Sequence, residues 1–262
     1  MEILVCVRRV PDTSENEIEL NAEGNDIERD ELVYSVNEPD NYAVEEALQI
    51  RDRVGGSVTV VTVGSEEDEE VLRRELAMGA NRAVLLSDES FNGSDGRGVA
   101  TLLRDFALKG HYDLILTGVQ ADDGAAQVGG MLAAMLDHPF ASLVNSISVE
   151  NGKLRISREI EGGNREINEI DLPCVLSIQT GINEPRYVGM RGIRQVASVP
   201  IPTLGAADVG VDPAAVGQKA AKVKRIDYFV PARGKGAEML HGDRKENAAK
   251  VLELVGAKGG LK

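Results

Sequence analysis

The chain has 262 residues and 28.1 kDa, enough for one large domain or a domain with an extension. Its 29 Lys and Arg stand against 43 Asp and Glu, a formal charge of −14, which argues against a nucleic-acid binder that would need a basic stripe. With 42% hydrophobic residues but only 3% aromatics and no Trp, it can build a sizeable aliphatic core and is not globally disordered.

The opening run Glu2-Ile3-Leu4-Val5-Cys6-Val7 predicts a buried first strand. It is too short for the apolar core of a signal peptide, and no small-residue cleavage site follows, so a cytoplasmic, reducing compartment is expected. No run of 18 apolar residues occurs anywhere, so no membrane insertion is expected. Residues 58–63, 83–86 and 114–117 are short aliphatic runs that predict further buried strands. Between them lie helical patterns. Ala43, Ala47, Leu48 and Ile50 keep helical spacing behind Asn37, the expected N-cap, and stop at Gly55-Gly56. Val71, Leu72, Leu76 and Met78 follow Ser65-Glu66-Glu67-Asp68, a capping box whose carboxylates suit the positive end of a helix. Val99, Leu102, Leu103 and Phe106 follow Ser94 and Asp95 in the same way. This alternation predicts an α/β fold with a mostly parallel, doubly wound, Rossmann-like sheet.

After residue 140 the pattern changes. Residues 142–149 meet 154–156 across Glu150-Asn151-Gly152-Lys153, a strong hairpin signal. Residues 165–170 and 174–178 predict two more strands, so antiparallel additions extend the sheet. From residue 196 the periodicity weakens, punctuated by Pro200, Pro202, Pro213 and Pro231, until an apolar helical stretch at 248–255. Residues 1–195 therefore read as a nucleotide-binding α/β domain. Residues 196–262 read as a C-terminal arm, either packed on its own domain or ending in a helix that packs on a partner subunit.

Most catalytic templates are missing. The chain has no G-x-x-x-x-G-K-[ST] loop, no G-x-S-x-G elbow and no H-E-x-x-H motif. His111, His138 and His241 stand far apart at element edges, as surface histidines do. Cys6 and Cys174 sit inside apolar runs and read as buried small residues, neither a disulfide framework nor a zinc site. No nucleophile–base pair can be picked out, so no catalytic residue is assigned and the chain does not read as an enzyme on its own.

The informative segment begins where strand 114–117 runs into Gly118-Val119-Gln120-Ala121. It continues through Asp122, Asp123, Gly124, Ala125, Ala126, Gln127, Val128, Gly129, Gly130 and Met131 into a helix reaching Leu136. Open parallel sheets bind ligands at the carboxyl ends of their strands, and free N–H groups at a helix start attract phosphate. Asp122 and Asp123 would repel a phosphate, so they are expected to cap the helix or to accept from ribose hydroxyls. A plain strand-to-helix turn fits the same residues. Other strand ends could line this crevice: Val7-Arg8-Arg9-Val10-Pro11, Ser35 to Asp40, and Val63-Gly64-Ser65. Arg8 and Arg9 could face a phosphate or form surface ion pairs. The residues outline a nucleotide-sized site without naming the nucleotide.

Several separated motifs resemble the β subunit of electron-transfer flavoproteins, in order and over essentially the whole chain. The opening strand to Val10 is similar to that family's first strand. Asn37-Glu38-Pro39-Asp40-Asn41-Tyr42-Ala43-Val44-Glu45-Glu46-Ala47-Leu48 resembles its N-P-x-[DE]-x-x-A-[VL]-E-E-A-[LM] helix start, and Leu76-Ala77-Met78-Gly79-Ala80-Asn81-Arg82-Ala83 its L-A-M-G-A-D-R-A. Ile156 to Gly163 and Leu172 to Ser177 carry the late signature, and Gly181-Ile182-Asn183-Glu184-Pro185-Arg186-Tyr187 carries the N-[EK]-P-R-Y loop.

The resemblance implies an adenine-nucleotide-binding fold in a heterodimer whose larger α subunit mainly holds a redox FAD. It implies structural AMP in this subunit, in a crevice of Cys6, Asn37, Glu38, Pro39, Asp40, Val63 and the segment from Asp122 to Met131. It also implies that Ile182, Asn183, Glu184, Pro185, Arg186 and Tyr187 form a partner-docking loop with Ile182 as an exposed apolar anchor. Electrons would come from flavin-dependent dehydrogenases and pass to a downstream quinone reductase or other acceptor.

Three departures stand out: Asn168 fills an aliphatic slot, the loop between Gln120 and Gln127 is one residue shorter, and its Asp-Gly-Ala-Ala-Gln-Val-Gly composition resembles the electron-bifurcating branch. Phe91-Asn92-Gly93-Ser94-Asp95 resembles that branch too, whose members place a second FAD where AMP otherwise sits and oxidise NADH. Residues 181–187 and Arg191-Gly192-Ile193-Arg194-Gln195 instead look like the flavoproteins that serve trimethylamine dehydrogenase. A stand-alone adenine-nucleotide sensor is a third reading, although the S-G-G-x-D-S loop of ATP-processing relatives is absent.

Overall fold

The computed structural model describes residues 1–121, 124–150, 152–232, 234 and 236–260. In chain order the elements are β1 (Glu2–Cys6), β2 (Arg9–Pro11), β3 (Tyr34–Val36), α1 (Glu38–Val54), β4 (Ser57–Val63), α2 (Glu69–Met78), β5 (Arg82–Leu86), α3 (Gly96–Ala107) and β6 (Leu114–Gly118). Then come α4 (Val128–Leu136), β7 (Phe140–Glu150), β8 (Lys153–Ile160), β9 (Asn164–Ile170), β10 (Cys174–Ile178), α5 (Met190–Val196), β11 (Thr203–Leu204), α6 (Ala206–Val209), α7 (Gly217–Ala220) and α8 (Arg244–Ala257).

Among the described residues the main sheet has nine strands in the order β11-β5-β4-β1-β6-β10-β7-β8-β9. Every pair from β11 to β7 is parallel, and β7, β8 and β9 form an antiparallel meander. The hairpin between β7 and β8 closes with Glu150 opposite Lys153; Asn151 lies outside the described residues. One expectation is corrected here. Cys174–Ile178 is not an antiparallel addition but a parallel strand inserted between β6 and β7, with Cys174 beside Leu114. Its five residues are buried throughout, as a central strand covered on both faces must be.

Side-chain alternation along the strands feeds two cores. Ile3 and Val5 point to one face, where Val44 and Leu48 of α1 and Leu72 and Leu76 of α2 cover them. Leu4 and Cys6 point to the other, under Leu102 and Phe106 of α3 and Leu132 of α4. The expected capping holds for α3, whose Asp95 carboxylate accepts from the Gly98 N–H at 2.9 Å. Before α2, Asp68 accepts from the Ser65 N–H at 2.7 Å.

The expected boundary at residue 196 falls too early. β11 pairs with β5, and Ala206, Val209, Val211 and Val216 enter the core under α3. Asp88 accepts from the Ala206 N–H at 3.0 Å and Ser94 from the Gly217 N–H at 2.8 Å, so the chain is stitched to the body through residue 217. From residue 221 onward no described residue is buried. Among the described residues no helix is long and apolar enough to cross a membrane.

Candidate functional site

The winding fixes where a ligand can sit. From β1 the chain steps outward to β4 and β5, then crosses back through α3 to β6 on the other side of β1. The carboxyl ends of β1 and β6 therefore diverge at a topological switch point, where open α/β sheets bind ligands.

A cavity of about 620 Å³ opens there, within the size range of small-ligand sites. Three segments build its wall: residues 10–14 after β1, residues 35–39 at the start of α1, and Val119, Gln120 and Ala121 after β6. Asn37, Glu38 and Pro39 lie in this wall. Asn37 occupies the N-cap position of α1 but makes no capping bond with its side chain. Its amide donates instead to the Gln120 carbonyl at 3.1 Å, tying helix to loop across the cavity floor. Ser35 lies in the stretch expected to line the crevice, whereas Asp12, Thr13 and Ser14 were not anticipated. These three follow β2, which pairs antiparallel with β3 in a ladder of three-residue strands too short to carry a periodic signal. The Ser14 hydroxyl and N–H donate to Asp12 and hold its carboxyl below the ordinary range.

Other expected residues gather elsewhere. Cys6 is buried under α3 and α4, in a cluster against which Val63, Val128 and Met131 also pack. Burial, with the nearby Asp40 charge second, pushes its thiol well above the usual range, so it is an inert packing group rather than a thiolate. Asp122 and Asp123 lie outside the described residues. Gly124 closes a turn, donating to the Ala121 carbonyl at 2.9 Å and accepting from the Gln120 side chain at 3.0 Å. Ala125, Ala126 and Gln127 are exposed, and Ala126 holds a left-handed φ of 53°.

The start of α4 is open. Gln127, at the N-cap of α4, makes no side-chain capping bond among the described residues, and helix starts of this kind attract anions. Gly129 brings that turn directly onto the sheet: a Cβ there would lie 2.5 Å from Ser177 Oγ and 2.8 Å from Thr117 Oγ1. Gly130 has ordinary room around it.

Neither early arginine is a spare phosphate ligand by default. Arg9 stacks 3.7 Å over the Tyr34 ring and pairs with Glu67 at 3.1 Å. Arg8 extends from the β1 end, where its carbonyl accepts from the Asn37 N–H at 2.8 Å and its backbone favours the charged form of Asp40.

The expected docking loop sits on the outer face of α1. Arg186 makes a two-pronged pair with Glu45 at 2.8 and 3.0 Å, and Asn183 donates to Glu46 at 3.2 Å and to the Tyr42 carbonyl at 3.1 Å. Two motifs read separately in the sequence thus bind each other. Ile182 does not meet the expectation of an exposed anchor: it is half-buried and packs against the core. Glu184 is exposed and Pro185 half-buried, while Tyr187 and Met190 are 92% and 67% exposed.

Comparison with known proteins bears on what such a crevice serves. Residues 25–209 match the electron transfer flavoprotein domain. The chain is similar to the electron transfer flavoprotein subunit beta of Methylophilus methylotrophus, 37% identical over 97% of this chain and 98% of that one. It is also similar to the caffeyl-CoA reductase-Etf complex subunit CarD of Acetobacterium woodii, 38% identical over 96% of each chain. Protein FixA of Azotobacter vinelandii is 32% identical over 96% of this chain and 92% of its own length.

Proposed function

Since the chain belongs to the electron transfer flavoprotein family, aligning nearly end to end with its β subunits, we propose that it carries AMP in the β1/β6 crevice and pairs with a flavin-bearing α subunit. The observation that carries this reading is the cavity at the switch point, walled by the Val119 to Ala121 turn whose chain runs on into the glycine-bearing start of α4. The chemistry fits. Asn37, Ser14 and Gln120 offer the donors and acceptors a nucleoside needs, and the first turn of α4 offers N–H groups to a phosphate.

AMP supplies no redox chemistry; it fills the crevice and fixes its walls. FAD held mainly by the α subunit supplies the electron chemistry, and this chain binds, orients and supports it. Flavin-dependent dehydrogenases deliver the electrons, and a quinone reductase or another acceptor takes them. The loop 182–187 meets the dehydrogenase. Tyr187 and Met190 give it an exposed apolar edge beside the half-buried Ile182, a small contact suited to rapid dissociation. The segment 221–260, whose described residues are all unburied in the chain alone, packs on the α subunit.

A second reading, FAD in place of AMP and NADH as the electron source, draws on the Gly124 to Gly129 composition and on the similarity to a reductase-Etf complex subunit. Co-expression with the α subunit, denaturation and a count of released nucleotides separates the two. One AMP and one FAD per heterodimer are expected. Two FAD and no AMP would replace the first reading with the second, and a colourless chain that retains no nucleotide and no α subunit would overturn both.

A further inference from the structure

Asp40 stands in the first turn of α1, next to the cavity wall but not in it. It is 7% exposed, while its neighbours Asn37, Glu38 and Pro39 line the opening. Its carboxylate faces polar groups of the chain itself. The Gly118 N–H at the end of β6 donates to it at 2.9 Å, and the Asn37 side chain and the Arg8 backbone after β1 also face it and favour its charged form. These groups come from the three segments that wall the cavity. Asn37 then extends the ties, with its N–H on the Arg8 carbonyl at 2.8 Å and its side chain on Gln120. Gly118 is required for the approach, since a Cβ there would stand 2.3 Å from Asp40 Oδ1.

We propose that Asp40 is a positioning residue: its ionised carboxylate cinches the β1 end, the α1 start and the β6 end into one crevice, and nucleotide affinity depends on that charge rather than on contact with Asp40. This rests on the reading of the crevice as an adenine-nucleotide site. Burial pushes the Asp40 carboxyl up to about 7, against the hydrogen bonds from Asn37, Gly118 and Arg8. The charged groups around it are Arg8 and the Cys6 thiol from the β1 side and Glu75 from α2, which itself feels Arg74 and Glu45. Above neutrality the carboxylate is an acceptor for these groups. Below it, a proton converts an acceptor into a donor facing N–H groups, and the three segments loosen.

The test uses the nucleotide-stripped protein with its α subunit and three probes: adenosine, AMP and FAD, each titrated from pH 6 to 8.5. Adenosine is included because the AMP phosphate itself titrates near pH 6. Wild type is expected to bind more weakly at pH 6 than at pH 8 by several-fold, with the midpoint near neutrality. Asp40→Asn, which keeps the shape but lacks the charge, is expected to bind about tenfold more weakly at pH 8 and to lose the pH dependence. Equal affinity in Asp40→Asn, or an unchanged pH profile, would overturn the proposal. Amide exchange of the same protein supplies a readout that needs no ligand: protection at Gly118 is expected to fall as wild type is taken below pH 7. If no probe binds at all, the nucleotide reading fails and the exchange result alone decides the role of Asp40. Protection at Gly118 that is independent of pH would then end it, and the wild-type profile requires no variant to fold.

Discussion

The body of the molecule buries Leu4, Leu116 and Leu132 completely, whereas the segment after residue 220 leaves Ile226, Phe229 and Val230 exposed by 93%, 75% and 72%. Charge divides along the same line. Residues 219–262 hold eleven Lys and Arg against five Asp and Glu, a net +6, so the −14 of the whole chain leaves −20 for residues 1–218. The body is a finished solution to the folding problem, with two cores closing on one sheet. The arm is an unfinished one. Its root is fixed, because Asp95 accepts the N–H groups of Lys222 and Val223 at 2.6 and 3.2 Å while also capping α3. Beyond that root, α8 carries Val251, Leu252, Leu254 and Val255 on a helix with no buried residue, and such apolar area is stable only when another surface covers it. This contrast is the ground for proposing that folding and assembly fall to different stretches of chain.

Truncation after Ala221 puts that division to its severest trial. The shortened chain is expected to keep its thermal midpoint to within a few degrees and to lose the α subunit, with affinity down by at least ~100-fold because the exposed aromatic and aliphatic anchors go together. Size-exclusion chromatography of the co-expressed pair, alongside thermal melts, reads both. Retention of the α subunit at full strength would move the interface onto the body, and a collapse of the melt would show that the body is not finished without its arm.

Within the body, Glu75 breaks the rule of satisfied burial with both of its carboxylate oxygens. It is fully buried on the core face of α2, and neither carboxylate oxygen has a hydrogen-bond partner. Burial raises its pKa from 4.5 to about 8, with Arg74 opposing and the charges of Asp40 and Glu45 adding. The sign follows from linkage. The unfolded chain releases this proton near pH 4.5 and the folded one only near pH 8, so the carboxyl costs the fold increasingly across that window and no more above it. Glu75→Leu is therefore expected to stabilise the protein at neutral and alkaline pH. The gain is a few kcal/mol, at roughly 1.4 kcal/mol for each unit of displaced pKa before relaxation is allowed for. Melts of both proteins from pH 5 to 9 check it: the gap should widen up to pH 8 and then level off. A gap independent of pH would show that Glu75 is compensated in the fold.

The contrast between body and arm also marks what was legible beforehand. β-branched runs such as Val58 to Val63, caps such as Asp95 and the glycine stop at Gly55 are local features, and each produced the element it predicts. Placement was harder. Nothing in Cys174–Ile178 states that it slots between β6 and β7, because strand order depends on partners 30 to 60 residues away. The start of the arm was misjudged because Thr203–Leu204 is a two-residue strand behind Pro200 and Pro202, too short for a period of two to register. In the crevice the resemblance named Asn37, Glu38 and Pro39 but not the wall from Asp12 to Ser14, which follows a ladder of three-residue strands too short for a period to register. The burial of Ile182 was invisible for a related reason: Asn183 and Arg186 turn the loop toward Glu46 and Glu45 across 137 and 141 residues of sequence.

That loop lies between the two regimes, with a polar half fixed to α1 and an apolar half left open, and it yields the smallest and sharpest effect. Burial alone would raise Glu45, but the hydrogen bonds and charge of Arg186 outweigh it and hold the carboxyl below its ordinary range. Arg186 is 39% exposed at its side chain, so solvent screening reduces the value of the pair, and Glu45→Gln is expected to cost only about 1 kcal/mol. What it changes is order. The chain contains no Trp, so Tyr187→Trp gives a single reporter at the loop's exposed edge. In that background Glu45→Gln should lower the Trp anisotropy and raise its quenching by acrylamide while the melt barely moves, and the reversed pair Glu45→Arg with Arg186→Glu should recover part of the order. An unchanged anisotropy would mean that Asn183, on Tyr42 and Glu46, holds the loop by itself, and the docking edge would then belong with the body rather than between it and the arm.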